Sequence, residues 1–171
     1  MRISNRDFFT RDVLEVAPNL IGCFLVRKFK DGREIRHLIA ETEAYRGEED
    51  MACHASKGRT NRTEIMYHMG GILYVYFIYG MYWMLNIVTE RAGIPQAVLI
   101  RGINEMNGPG KLTGKLKIDK SFYGEDLIYS NRIWIEMKTD QHEINLTTRI
   151  GLKNVDAFWK NKQWRYVLAG S

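Results

Sequence analysis

The chain has 171 residues, enough for one domain with a core of its own and too few for two of ordinary size. Hydrophobic residues make up 45% and charged residues 26%, with only three prolines, which excludes a disordered or collagen-like chain. Lys plus Arg outnumber Asp plus Glu by 25 to 20, a net charge of +5 that permits a polyanionic partner without requiring one.

The N-terminus mixes acids and bases within its first dozen residues and lacks the apolar run of a signal peptide, so it reads as mature protein. Ser4, three residues before Asp7, resembles a capping box. Phe9, Val13, Val16 and Leu20 then recur at helical spacing, predicting a helix near 6–16 that Pro18 ends. GCFLVRKF and EIRHLIAETEAY read as two strands of a hairpin, joined at Asp31-Gly32, where both residues can take the positive φ of a tight turn. Cys23 and Cys53 make no Cys-x-x-Cys pair and are too few for a disulfide framework, which points to a reducing compartment, the cytoplasm. Residues 46–71 form a polar connection rich in Arg, Lys, Glu and Asn, and a loop of that length inside one domain usually has a function.

Ile72 to Val88 carries no charge over seventeen residues, the lower limit for a membrane-spanning helix. Tyr74, Tyr76, Tyr79 and Tyr82, the β-branched neighbours, Gly80 and Asn86 instead suit strands joined by a turn, so no membrane span is expected. QAVLIRGI is a further strand. After Gly108-Pro109-Gly110, KLTGKLKIDKSF predicts a short helix bearing Lys111, Lys115, Lys117 and Lys120. RIWIEM and TTRIGL read as strands, and KNKQWRYVLAG is a basic aromatic tail. No repeat or linker divides the chain. The expected fold is α+β: a single domain over 1–171 with a curved, mainly antiparallel β-sheet, flanking helices and a protruding β-hairpin.

Three groups of residues can carry chemistry. Glu41, Glu43 and Tyr45 alternate along a strand and project from one face at intervals of about 6–7 Å. Two such carboxylates can pair an acid with a base, as in inverting glycosidases, or simply form the polar face of an amphipathic strand. The tyrosines of YVYFIYGMYW can stack on nucleobases or fill a core. Gly108-Pro109-Gly110-Lys111 can hold a phosphate or be a plain turn. His37, His54, His68 and His142 lack the spacing of metal ligands, and no GxGxxG, Walker or GxSxG motif occurs, so neither metal nor cofactor is expected.

Taken in order, IAETEAY, His54 eleven residues after Glu43, LYVYFIYGMYWMLNIV, VLIRGI, GPGKL with IDKSF, and RIGL resemble the alkyladenine (3-methyladenine) DNA glycosylase family over roughly residues 20–152. The resemblance implies a monofunctional glycosylase of base excision repair. Such an enzyme flips alkylated or deaminated purines (3-methyladenine, 7-methylguanine, ethenoadenine, hypoxanthine) out of duplex DNA and hydrolyses the N-glycosidic bond, leaving an abasic site. On that resemblance Glu43 is the base that activates water, Arg101 holds Glu43 and the water, and Ile150 offers its carbonyl to the same water. Tyr45, His54 and Tyr76 form the base pocket, and Asn86 crowds the amine of guanine. Tyr79 is the wedge that replaces the flipped nucleotide. Arg101 is further expected to keep the pKa of Glu43 from rising in a dry pocket.

Arg59 and Arg62, with Lys111, Lys115, Lys117 and Lys120, are candidate contacts to DNA phosphates. The implied partner is damaged double-stranded DNA, bound by a monomer in a prokaryote-like cytoplasm, at the nucleoid. The loop RTNRTEIM keeps Arg62 but has Asn61 and Thr63 where the family commonly has Pro and Asn. Cys53 stands where a small residue is usual. Two other readings remain: a noncatalytic nucleic-acid-binding module of the same fold, which would not need Glu43, Arg101, His54 and Tyr76 together, and the inverting glycosidase on Glu41 and Glu43.

Overall fold

The computed structural model describes residues 1–171, and near its N-terminus the helix forms later than the sequence pattern suggests. Residues Arg6–Phe8 make one 3-10 turn, capped by the Asn5 side chain, which accepts the Asp7 N–H at 2.9 Å. The helix α1 spans Val13–Leu20, and its cap is Asp12, which accepts the Leu14 N–H at 2.9 Å. Asp12 wins over Ser4 because the buried stripe Val13, Val16, Ala17 and Leu20 starts directly after it. Burying such an aliphatic side chain contributes about 1.5–3 kcal/mol, more than an exposed cap. Pro18 lies inside α1 rather than ending it; it removes one helical hydrogen bond, and the helix runs only two residues further.

The sheet has nine strands: β1 (Phe24–Lys28), β2 (Glu34–Arg46), β3 (Leu73–Ile78), β4 (Tyr82–Thr89), β5 (Gln96–Ile103), β6 (Met106–Asn107), β7 (Ile133–Glu136), β8 (Ile144–Thr147) and β9 (Arg165–Leu168). Its main path runs β3-β4-β5-β2-β1-β7, with β6 on β5 and the pair β8–β9 joined to β2, and every pairing is antiparallel. Strand β2 organises it. Its first part pairs with β1, then an irregularity at Ile39–Thr42 shifts the register, and its second part lies between β5 and β9. Residues Ile39 to Ala44 are consequently buried on both faces, so Glu41 and Glu43 do not form a solvated polar stripe.

The β1–β2 connection is a hairpin as expected, although only Gly32 takes a positive φ, at 85°; Asp31 instead accepts the Arg33 N–H at 3.0 Å. The apolar stretch 72–88 is the hairpin β3–β4, with Tyr74 opposite Asn86 and Tyr76 opposite Met84. No helix of the chain is long and apolar enough to cross a membrane. At the tip Tyr79 and Gly80 both have positive φ, 55° and 66°, and a Cβ on Gly80 would meet nothing within 4 Å.

The connection 46–71 is more ordered than its polarity suggests. It forms 3-10 turns at Gly47–Glu49, His54–Lys57 and Glu64–Tyr67, and buries Cys53, Ala55, Ile65 and Met66 against Tyr74, Val88 and Ala97. Helix α2 (Pro109–Leu116) buries Leu112 and Leu116 in the main core with α1 and the sheet. Gly110 lets it approach the hairpin, since a Cβ there would stand 2.5 Å from Cδ1 of Tyr82. The expected strand at TTRIGL is not formed beyond Thr147. Arg149 is drawn inward and Ile150 stays half-exposed, a departure from strand pairing that serves the site. A short helix α3 (Ala157–Lys160) leads into the aromatic tail, which supplies β9.

Candidate active site

Glu43 lies at the middle of the sheet, opposite Leu99 of β5 on one side and Arg165 of β9 on the other, with 0% exposure. Both carboxylate oxygens are held. The Ile150 N–H donates to Oε1 at 2.7 Å, and the Tyr45 hydroxyl donates to Oε2 at 2.7 Å. Nε of Arg101 stands 3.6 Å from Oε1. Burial raises the pKa of Glu43, and the Arg101 charge, the Ile150 N–H and the Tyr45 hydroxyl oppose the rise without cancelling it. The expectation that Arg101 keeps this pKa from rising is therefore corrected: desolvation of a fully buried carboxylate outweighs one guanidinium at 3.6 Å.

Arg101 makes its nearer contact with Glu41, 3.0 Å from Nε to Oε1, and the same oxygen takes Nη1 of Arg165 at 2.8 Å. Glu41 is thus held in ion pairs with two guanidiniums from neighbouring strands, a structural engagement that leaves the acid–base pair with Glu43 without geometric support. Ile150 contributes its N–H to Glu43, and its carbonyl takes no donor from the protein.

Tyr45 and Arg149 form the layer beneath Glu43. The Arg149 guanidinium lies 4.9 Å from the centre of the Tyr45 ring and 5.0 Å from that of Trp164. It is paired with Asp50 at 2.6 and 3.0 Å, and both side chains are 0% exposed. Burial, and then the Glu43 charge, push the Tyr45 hydroxyl well above its ordinary pKa, so it remains a donor.

His54, Tyr74 and Tyr76 form an aromatic wall. Nδ1 of His54 is 2.9 Å from the Tyr74 hydroxyl, and the His54 ring meets Tyr76 edge-on at 4.7 Å. Burial, reinforced by the charges of Arg62 and Lys57, lowers the His54 pKa to about 4, so this histidine is neutral at pH 7. Asn86 is buried and donates to the Tyr74 carbonyl at 3.1 Å. Tyr79 stands apart at the hairpin tip, 70% exposed.

The basic candidates separate. Arg59 is held by Glu64 at 2.7 and 2.9 Å and stacks on Tyr67, whereas Arg62 has no carboxylate partner and lies over the Tyr76 ring at 4.8 Å. Lys111 is exposed in the first turn of α2. Lys115, 3.9 Å from Glu105, borders with Lys117 a separate cavity of about 570 Å³, together with Arg33, Arg36 and His37.

A family model described as methylpurine-DNA glycosylase (MPG) matches residues 7–106 and 104–171. The chain belongs to the methylpurine-DNA glycosylase family. It is 46% identical over 168 residues to a protein of Sodalis glossinidius named "Putative 3-methyladenine DNA glycosylase", covering 94% of this chain and 96% of the relative. Proteins of the same name from Borreliella afzelii and Rickettsia felis are 43% and 44% identical, over 98% and 95% of this chain and 96% and 91% of theirs. The chain is thus an enzyme, a hydrolase of N-glycosyl bonds in the repair of alkylated purines in DNA, and the noncatalytic reading falls away.

The fold gathers the glycosylase's Glu43, Tyr45, Arg101 and Ile150 around one carboxylate, and His54, Tyr74 and Tyr76 in one wall. Sequence reasoning missed Asp50 and Arg149. Asp50 closes the acidic run Glu48-Glu49-Asp50 and looks like solvated loop, and only its burial distinguishes it from its neighbours. Arg149 had a usable signal, since it directly precedes Ile150 in RIGL.

Proposed function

We propose that this glycosylase excises 3-methyladenine, 7-methylguanine, ethenoadenine and hypoxanthine from duplex DNA as a monomer, with Glu43 activating the attacking water. The observation that carries the reading is a fully buried carboxylate held on both oxygens and faced by Arg101. Water attacks C1′ of the deoxyribose as the C1′–N bond breaks, its proton passes to Glu43, and the base leaves with the bonding pair. The carboxylate also stabilises the oxocarbenium-like sugar. Arg101 and the unoccupied Ile150 carbonyl supply a donor and an acceptor for that water.

A base inside a duplex is out of reach, so the purine must be extruded at a cost of a few kcal/mol, offset by stacking in the pocket. Tyr45, Tyr76 and neutral His54 form that pocket, Asn86 limits its depth against guanine, and exposed Tyr79 fills the gap left in the duplex. A cationic alkylated purine gains most from aromatic walls and leaves without a proton. Hypoxanthine and ethenoadenine need one, which water at N7 supplies. Lys111 and Arg62 are the freer candidates for phosphate contacts, while Arg59 and Lys115 must first loosen a carboxylate.

The test is a duplex carrying 1,N6-ethenoadenine or 3-methyladenine. The native chain should release the free base and leave an alkali-labile abasic site, whereas Glu43→Gln should bind the duplex and release base at least about 100-fold more slowly. Undiminished release by Glu43→Gln would remove Glu43 from the mechanism.

A further inference from the structure

The groups that hold Glu43 are themselves held by one side chain outside the reacting centre. Arg149 is bonded through the chain to Ile150, whose N–H binds Oε1 of Glu43, and its guanidinium lies under Tyr45, whose hydroxyl binds Oε2. Its Nη1 also donates to the carbonyl of Ala44 at 3.0 Å, and Ala44 is the residue between Glu43 and Tyr45 in β2. One guanidinium therefore touches the strand on which the carboxylate and its hydroxyl donor sit, while its own backbone carries the loop that supplies the amide donor. Asp50 fixes that guanidinium by two bonds, and Asp50 is anchored in turn by accepting the backbone N–H groups of Arg46 and Ala52 at 3.1 and 3.0 Å. Trp164 covers the cation from β9's side of the site, and Nε of Arg149 is buried with no hydrogen-bond partner. Both Nη atoms are fully engaged, Nη1 by Asp50 and Ala44 and Nη2 by Asp50 and the Trp159 carbonyl at 3.4 Å, so the orientation of the guanidinium is fixed from both ends while Nε goes unpaired.

We infer that Arg149, clamped by Asp50, is a positioning residue for the glycosylase reaction: it sets the place of both hydrogen-bond donors to Glu43 and so the aim of the carboxylate at its water. The inference rests on Glu43 being the base. Arg149 makes no contact with Glu43 itself and acts on it through Ile150 and Tyr45. A planar cation is required, because lysine lacks the flat face that stacks between Tyr45 and Trp164 and cannot bond Asp50 through two nitrogens while reaching Ala44. Displacing a reacting group by about 1 Å costs on the order of 100-fold in rate, so loosening the two donors should show in chemistry rather than in DNA affinity.

The groups that face Glu43 are Arg101 from β5, Tyr45 and Glu41 from β2, Tyr76 from β3, and, through Glu41, Arg165 from β9. Arg149 variants leave Arg101, Glu41 and Arg165 in place and weaken only the Ile150 and Tyr45 bonds, both of which favour the ionised carboxylate. The acid limb of the rate profile should accordingly move to higher pH.

The experiment compares the native chain, Glu43→Gln, Arg149→Lys and the double variant Arg149→Gln with Asp50→Asn. The readouts are single-turnover release of ethenoadenine across pH, duplex affinity and thermal melting. The double variant replaces the buried ion pair by a neutral hydrogen-bonded pair, so no unpaired charge is left to unfold it. The expected result is a loss of about 10- to 100-fold in single-turnover rate for both Arg149 variants, duplex affinity within about twofold of native, and a raised acid limb. A double variant that melts like the native chain and also keeps its rate and acid limb would overturn the assignment, making the pair purely structural. So would failure of both variants to fold. Release by Glu43→Gln at close to the native rate would instead overturn the reading of Glu43, independently of either outcome.

Discussion

The floor of the site and its rim are built on opposite rules. At the floor Glu43, Asp50 and Arg149 have no exposed side-chain surface, and the two carboxylates are bonded on both oxygens. At the rim Tyr79, Met81 and Tyr82 are exposed at the hairpin tip, and Arg62 has no carboxylate partner and lies over an aromatic ring. Under the proposed function, the difference follows from what each part must do. Stabilising charge that develops in a transition state requires dipoles fixed before the reaction, since reorganising them would cost part of the gain. Capturing a duplex requires side chains that are free until DNA arrives, because their useful partners are phosphates and bases rather than other residues.

The largest effect that can break this contrast concerns Glu43. Glu43→Gln should lower base release by about 100- to 10,000-fold, as expected when a general base is removed. It should also raise the melting temperature at pH 7. Glu43 has a raised pKa, so the folded chain binds a proton more readily than the unfolded chain, and the ionised side chain opposes folding above that window. The stabilisation should vanish in acid, below the ordinary glutamate pKa, where both states are protonated. A variant that is inactive but no more stable at pH 7 would mean that the floor is not strained by its buried charge.

Next in size is Arg101→Gln, which should reduce release about 10-fold at pH 8 and by more in weak acid. Arg101 is the largest influence opposing the rise in the Glu43 pKa, so its loss moves the acid limb upward and leaves less carboxylate ionised at a given pH. A parallel fall at every pH would assign Arg101 to the water alone.

These two residues also show how much of the molecule is legible in the sequence. The hairpins, β5 and the α+β class follow from alternation and turn residues, which are local properties. So do Glu43 and Tyr45 as neighbours on one face of β2. What failed was set by distant contacts. The first helix begins at Asp12 because of what packs behind Val13, and TTRIGL is not a strand because Arg149 is pulled to Asp50, 99 positions away. Glu41 shares its strand face with Glu43 yet differs from it completely, bound by Arg101 and Arg165 from two other strands, which no spacing within IAETEAY encodes. The pKa of Glu43 was misjudged for the same reason: the charge beside it is visible in VLIRGI, whereas complete desolvation is a product of three strands and a loop.

At the rim, Tyr79→Ser should weaken binding to a damaged duplex about 10-fold and leave binding to a damaged single strand nearly unchanged. A wedge compensates for lost stacking only where there is a stack to lose. Serine keeps a Cβ at the same left-handed φ of 55°, so the substitution removes the ring and leaves the demand of the turn unchanged. Equal losses on both substrates would mean that Tyr79 is an aromatic contact and not a wedge.

The smallest predicted effect decides how far the rim extends along α2. Lys111 lies in the first turn of that helix, next to Gly110, where the helix packs on Tyr82 of the β3–β4 hairpin. Lys115 lies one turn on, near Glu105, and borders the separate basic cavity with Lys117. A duplex held at Tyr79 should reach Lys111 first. Lys111→Ala should therefore lower the slope of log affinity against log salt by about 1, with base release at saturating enzyme unchanged, as for the loss of one phosphate contact. Lys115→Ala should leave the slope within error of the native chain. If Lys115 alters the slope as much as Lys111 does, the duplex follows α2 to its C-terminal end, and the rim is a strip of surface rather than the neighbourhood of one hairpin.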